Sequence, residues 1–118
     1  MTLLVAVLAL LGSLSASDAI AGTYDCHGIA PAGRYRISLD VARFQNGYRL
    51  TWKQHGQVTA KGVGLRRENT LNVAISMGTA LAFAEYTIGP GVLDGRWWGD
   101  STAKLPETCS QGPIQEAE

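Results

Sequence analysis

Short segments in which apolar and polar residues alternate, separated by turns that contain glycine, run through most of this chain. Residues 34–43 are the clearest example, because every second side chain from Tyr35 to Val41 is apolar. Side chains two residues apart share one face of a β-strand, so the alternation is typical of strands with one buried face. Their regular spacing predicts an all-β protein.

About eight segments carry this pattern, and no segment convincingly predicts a helix. The predicted strands are residues 22–29, 34–43, 47–54, 57–65, 71–76, 79–88, 92–99 and 103–107. Because their connections are short, we expect an antiparallel up-and-down meander. Such a sheet avoids open edges by closing into a small barrel like those of lipocalins and streptavidin. A two-sheet β-sandwich is the alternative.

The chain opens on an apolar run over residues 3–14, followed by small and polar residues. Residues 19–21 read Ala-Ile-Ala, which fits the small-x-small pattern before a signal-peptidase cleavage site. The run is shorter than the ~20 apolar residues of a membrane-spanning helix. We therefore predict that residues 1–21 are a signal peptide, and that the mature protein is periplasmic or secreted and has no stable membrane span.

Two cysteines, Cys26 and Cys109, lie near opposite ends of the predicted mature chain. In an exported protein such a pair favours a disulfide. A structural zinc site needs more ligands than these cysteines supply, so we predict neither a metal nor a cofactor. The bridge would hold the first and last strands side by side, which favours a closed barrel over residues 22–109. Residues 110–118 are predicted to be a flexible tail.

Charge and motif content argue against two classes of function. Ten Lys and Arg residues balance ten Asp and Glu residues, whereas nucleic-acid binding needs a basic surface. The only histidines are His27 and His55, and no Gly-x-Ser-x-Gly motif accompanies them. We therefore predict a protein that is not an enzyme and does not bind nucleic acid.

The aromatic residues are the strongest candidates for contacts with a ligand or partner. The strand alternation places Trp52, Tyr86 and Trp97 inside the barrel and Trp98 outside, beside Arg96. The inward rings either fill the core or line a cavity, because a barrel of ~8 strands is just wide enough for side chains or one small ligand. Outside the barrel, Trp98 and Arg96 belong to the residue types that are enriched at binding hot spots.

An ordered series of short motifs follows the strand pattern. It comprises Gly22-Thr-Tyr24, Gly28-x-x-Pro31-x-Gly33-x-Tyr35, Tyr48-x-Leu50-Thr51-Trp52, Gly62-x-Gly64, Leu71-x-Val73-Ala74 and Tyr86-x-Ile88-x-x-x-x-Leu93-x-Gly95-x-Trp97. The series resembles a group of small exported bacterial β-rich proteins of uncharacterised function, some of them labelled fibronectin-binding protein. The resemblance covers most of residues 22–98. It implies a β-rich fold and an exported location, and it brings no catalytic residues.

Three functions fit these predictions. The first is an exported, non-catalytic binding protein that uses the barrel mouth or the outer face around Arg96 and Trp98. The second is a periplasmic or secreted inhibitor of a protease or lysozyme. The third is a carrier of a small apolar ligand. The expected partner is accordingly a protein or a small apolar molecule of unknown identity.

Overall fold

The fold is a closed barrel of eight antiparallel strands, as seen in a computed structural model that describes residues 19–100 and 103–111. The strands are β1 (Gly22–Ala30), β2 (Gly33–Phe44), β3 (Gly47–Gln54), β4 (Gln57–Arg67), β5 (Thr70–Met77), β6 (Ala80–Gly89), β7 (Val92–Gly99) and β8 (Leu105–Gln111). Each strand pairs with the next along the chain, and β8 pairs with β1. The prediction of an all-β, up-and-down barrel is confirmed, and the sandwich alternative is wrong.

Within the described part of the chain, no helix has the length and apolar character needed to cross a bilayer.

The barrel has two distinct ends, because consecutive strands run in opposite directions. The β1–β2, β3–β4 and β5–β6 turns lie at one end, which we call the mouth. The β2–β3, β4–β5 and β6–β7 turns lie at the other end, which we call the base.

Strand β8 differs most from its prediction, since it ends at Gln111 and not at Glu107. Ser110 and Gln111 pair with Asp25 and Tyr24 of β1. The backbone N–H of Gln111 also donates a hydrogen bond to the carbonyl of Gly91 at 2.9 Å. The first two residues of the predicted tail 110–118 therefore belong to the sheet, and residues 112–118 lie outside the described residues.

Two base turns contain no glycine, unlike the glycine-containing turns expected between the strands. In the β2–β3 turn the positive φ of 56° falls on Gln45, while Gly47 belongs to β3. Gly47 is needed for a different reason, since an added Cβ would overlap the carbonyl oxygen of Gly64. In the next base turn, β4 continues to Arg67, two residues beyond the predicted end of this strand, and the turn consists of Glu68 and Asn69.

The core consists of the side chains that point into the barrel. It contains Ile20, Tyr24, Cys26, Leu39, Val41, Tyr48, Leu50, Trp52, Ala60, Leu71, Val73, Ile75, Ala82, Ala84, Tyr86, Leu93 and Cys109. A β-bulge near the start of β4 keeps this pattern in register, because Trp52 pairs with Ala60 while Lys53 pairs with Val58. The unpaired residue between them, Thr59, allows Val58 to face outward and Ala60 inward.

Ile20 packs into the core just before β1 begins, at the base of the barrel. Its carbonyl oxygen accepts a hydrogen bond from the Tyr24 hydroxyl at 2.6 Å. Cleavage after Ala21, as predicted from the sequence, would remove this buried residue. Most of the predicted signal peptide, residues 1–18, lies outside the described residues, and the signal peptide stays a prediction.

A disulfide joins Cys26 and Cys109, whose Cα atoms are 3.9 Å apart. The two residues lie directly opposite each other in the β1–β8 ladder. The predicted bridge is thus formed, and it fastens together the two strands whose pairing closes the barrel.

Candidate functional site

One row of residues crosses the inside of the barrel over five neighbouring strands. In the strand order β2, β1, β8, β7 and β6, the row consists of Tyr35, Gly28, Glu107, Gly95 and Tyr86, each paired with the next across the sheet. We call it the Glu107 row. The Tyr35 hydroxyl donates a hydrogen bond to Oε2 of Glu107 at 2.7 Å, and the Tyr86 hydroxyl donates one to Oε1. Two tyrosines thus hold one carboxyl group from opposite sides.

The two glycines of the Glu107 row are required because neighbouring atoms lie too close to leave space for a side chain. A Cβ added at Gly28 would overlap the phenol ring of Tyr35, which crosses above Gly28 to reach Glu107. A Cβ added at Gly95 would overlap the carbonyl oxygen of Glu85 and lie 2.8 Å from the Cα of Tyr86. Glycine at both positions therefore lets the tyrosines approach the carboxyl group.

Glu107 is an acid in the interior of the barrel, with only 4% of its surface exposed. Burial raises the pKa of Glu107 above its ordinary value, because a charged carboxylate loses its hydration. Hydrogen bonds from Tyr86, Tyr35 and the Trp52 indole oppose this effect by favouring the ionised form. Burial and the nearby Glu107 charge also raise the pKa values of Tyr35 and Tyr86, so both hydroxyls keep their protons.

A cavity of about 230 Å³ lies in the mouth of the barrel, with Glu107 among its walls. Its lining consists of Ala30, Tyr35, Ile37, Trp52, Gln54, Thr59, Ala60, Ile75, Met77, Tyr86, Trp97 and Glu107. Trp97 is tethered there, since its indole N–H donates a hydrogen bond to the carbonyl of Ile29 at 3.2 Å. The inward rings Trp52 and Trp97 thus line a hollow rather than only filling a core.

The five residues predicted to contact a ligand or partner fall into two groups. Trp52, Tyr86 and Trp97 lie together around the mouth cavity. Trp98 and Arg96 lie on the outside of β7, away from that cavity. Trp98 packs beside Phe83, with ring centroids 6.2 Å apart, and the ammonium group of Lys104 lies 4.6 Å from its ring.

An apolar row crosses the outer face of the barrel at Trp98. Val63, Ala74, Phe83 and Trp98 pair in sequence across β4, β5, β6 and β7, and we call them the outer row. Val63 is 54% exposed and Phe83 is 41% exposed. The outer row lies along a groove of about 710 Å³.

Neither histidine lies in the mouth cavity. Nε2 of His27 is 3.7 Å from a carboxylate oxygen of Asp25, on the outside of β1. Arg36 donates two hydrogen bonds to that carboxylate, at 3.0 and 2.7 Å, and thereby holds the pKa of Asp25 below its usual value. His55 is exposed in the β3–β4 turn.

One group of side chains in the described residues has the spacing of a metal site, and it consists of Cys26, Glu107 and Cys109. A metal would need the cysteines as thiolates. Both sulfurs are instead bonded to each other, and the Cys109 sulfur lies 3.8 Å from Oε1 of Glu107. In this oxidised form the group does not fit a metal.

Glu107 is the residue of the site that the sequence reasoning missed, because the predicted last strand ended at it. A signal for it does exist in the sequence. Cys109 was predicted to form a buried disulfide, and residues two apart share a strand face. Extending the strand through Cys109 therefore places Glu107 inside the barrel as well.

No protein-family model matches this chain, and a search of curated proteins found no match. The resemblance to small exported β-rich proteins accordingly stays a prediction, and the case for a function rests on the geometry of the mouth.

Proposed function

We propose that this chain is an exported, non-catalytic binding protein that holds one small, mostly apolar ligand in the mouth of its barrel. The observation that carries the proposal is the cavity between Trp52 and Trp97, with the buried carboxyl group of Glu107 in its wall. Ligand sites are commonly concave and mostly apolar, with a few polar groups that orient the ligand. The mouth has both features.

The size of the cavity limits the ligand. An apolar cavity of ~150 Å³ binds benzene, whereas sites for drug-sized molecules begin at about 300 Å³. At about 230 Å³, the mouth suits a molecule with one aromatic ring, or a short aliphatic chain, and one polar group.

Export is supported by two features. The Cys26–Cys109 disulfide is the kind of bond that persists in oxidising compartments. The apolar run at residues 3–14 has the composition and length of a signal sequence. Together they support a periplasmic or secreted location.

The test uses a variant that fills the cavity. Ala60 is buried, lines the mouth cavity and pairs with Trp52. In the wild-type protein, 2-phenylethanol and similar single-ring compounds are expected to change the tryptophan fluorescence in a saturable way. Ala60→Leu should weaken this binding at least tenfold, because the added side chain occupies the ligand's space.

Val58→Leu is the matched control, because Val58 lies on the same strand but faces solvent. It should bind the probes like the wild type, and thermal unfolding would verify that both variants are folded. The proposal is wrong if Ala60→Leu binds the probes unchanged, or if no single-ring or short-chain probe binds the folded wild type.

A second function, inhibition of a protease or lysozyme, is favoured by the outer row. Exposed apolar patches often mark contacts with other proteins, and Phe83 and Trp98 supply two adjacent aromatic rings there. Under this function, purified protein inhibits a target enzyme and Trp98→Ala abolishes the inhibition. Undiminished activity of lysozyme and of a panel of proteases in excess protein would count against it.

A further inference from the structure

Among the residues that the structure describes, the mouth cavity is lined by one acid and by no basic side chain. Its lining residues include Glu107 but no Lys, Arg or His. Every polar side chain that approaches the carboxyl group is uncharged: Tyr35 from β2, Tyr86 from β6 and Trp52 from β3. The neighbouring strands β1 and β7 contribute glycines at this level, and β8 contributes the disulfide sulfur of Cys109. An ionised Glu107 therefore has no counter-cation among the described residues that line the cavity.

Neutral donors stabilise a buried carboxylate only in part. A carboxylate has about four acceptor positions, and the two tyrosine hydroxyls occupy two of them. A buried charge is costly unless it is paired. Within the described residues, acceptor positions of the carboxylate thus remain free and no positive charge pairs with it, and an ammonium group supplies both a donor and a charge.

The rest of the lining suits a cation that carries an apolar group. Tyr35, Trp52, Tyr86 and Trp97 provide aromatic faces and edges around the cavity. Aromatic faces attract cations through their quadrupoles, and tryptophan does so best. The same rings pack well against hydrocarbon, whereas an anionic ligand would be repelled by Glu107.

We propose that the mouth cavity selects a small primary amine, whose ammonium group pairs with Glu107 while its apolar part packs between Trp52 and Trp97. This inference rests on the proposed function, since it requires that the ligand occupies the mouth. A primary amine fits better than a quaternary one. Only an ammonium with N–H groups can donate a hydrogen bond to an acceptor position of Glu107 that the two tyrosines leave free.

The decisive experiment compares three probes of similar shape on the full, disulfide-bonded protein by isothermal titration calorimetry near pH 7.5. The probes are 2-phenylethylamine, 2-phenylethanol and 3-phenylpropanoate, which carry a positive, a neutral and a negative group. We expect the amine to bind at least tenfold more tightly than the alcohol, and the acid to bind more weakly than either.

Each outcome separates the inference from the function on which it rests. If the alcohol binds as tightly as the amine, the inference is wrong while the apolar ligand site stands. If the acid binds best, the inference is likewise wrong. If none of the three probes binds the folded protein, both the inference and the proposed function are overturned.

Substitutions identify the charge responsible. Glu107→Gln should abolish the preference for the amine while the alcohol still binds, because the variant keeps the cavity but not the charge. Glu85→Gln, on the exposed face of β6, is the matched control and should keep the wild-type preference. A preference that survives in folded Glu107→Gln would contradict the inference.

A pH profile of the wild type tests the same point without any variant. Amine affinity should rise by at least tenfold between pH 4 and pH 7.5 as Glu107 ionises, whereas the affinity of the alcohol should change little. The groups that face Glu107 are the hydroxyls of Tyr35 and Tyr86 and the Trp52 indole, and all three stay neutral over this range. A flat profile for the amine would contradict the inference.

Discussion

At the scale of single residues, Glu107 shows how the barrel keeps an acid in its interior. The carboxyl group would be unfavourable there by itself, since burial penalises the charged form. Two tyrosine hydroxyls donate hydrogen bonds to it, and they reach it because Gly28 and Gly95 leave room. The arrangement places one carboxyl group at a cavity whose other walls are mostly apolar.

The buried acid should make the stability of the ligand-free protein depend on pH. Because the pKa of Glu107 is raised in the folded state, the folded chain holds this proton more tightly than the unfolded chain does. The stabilisation from this bound proton is therefore fully present below pH ~4.5, the ordinary pKa of a glutamate. It is lost as the pH rises through the pKa that Glu107 has in the folded protein. Urea unfolding between pH 4 and pH 8 measures it.

Glu107→Gln lacks this titration and provides the reference. The free energy of unfolding of the wild type minus that of Glu107→Gln should fall as the pH rises. Contributions from other groups, including the lowered pKa of Asp25, cancel in this difference. Parallel profiles for the two proteins would show that Glu107 has the same pKa in the folded and unfolded chains.

At the level of strands and turns, the β6–β7 hairpin shows that strand pairing can outweigh the helix preference of individual residues. Residues 79–88 include three Ala, one Leu and one Glu, which favour helices, yet residues 80–89 form a strand. It pairs with β5 on one side and β7 on the other. Gly95 of β7 lies so close to the β6 backbone that no space remains for a side chain.

Two glycines of this hairpin should therefore respond differently to alanine. Gly95→Ala should lower the free energy of unfolding by about 1–3 kcal/mol, because the added methyl group overlaps the carbonyl of Glu85 and forces the strands apart. Gly89→Ala should change it by less than about 0.5 kcal/mol, since the nearest atom to its added Cβ is 4.0 Å away. Urea unfolding measures both, and equal losses would contradict this explanation.

For the molecule as a whole, the barrel closes because β1 pairs with β8. The ladder between them includes Cys26 opposite Cys109, whose separation in sequence is 83 residues. The same pairing brings Glu107 opposite Gly28, so the contact that closes the barrel also builds part of the mouth.

Loss of the disulfide should destabilise the barrel without changing its topology. For a loop of this length, the entropy of the unfolded chain predicts a loss of about 4 kcal/mol in the free energy of unfolding. The double variant Cys26→Ser/Cys109→Ser and the wild type in reductant should both show it in urea unfolding. Reductant should leave the double variant unchanged, and a negligible loss in both would mean that the β1–β8 ladder alone is sufficient.

The all-β class, the approximate strands, the cysteine pair and the inward positions of Trp52, Tyr86 and Trp97 could all be predicted from the amino-acid sequence. Alternation and turn residues are local signals, so they predict which face of a strand a side chain occupies without any knowledge of its neighbours. The interior position of Glu107 follows from the same alternation once β8 is extended to its true end.

The hollow mouth, and the acid in its wall that has no counter-cation among the described residues, became visible only in the folded barrel. Glu107 obtains its hydrogen-bond partners from β2 and β6, which are distant from β8 in sequence. Its environment therefore depends on how the strands register across the closed sheet, and on the space that Gly28 and Gly95 leave empty. Register and empty space are properties of several strands together, so the pattern of one strand does not contain them.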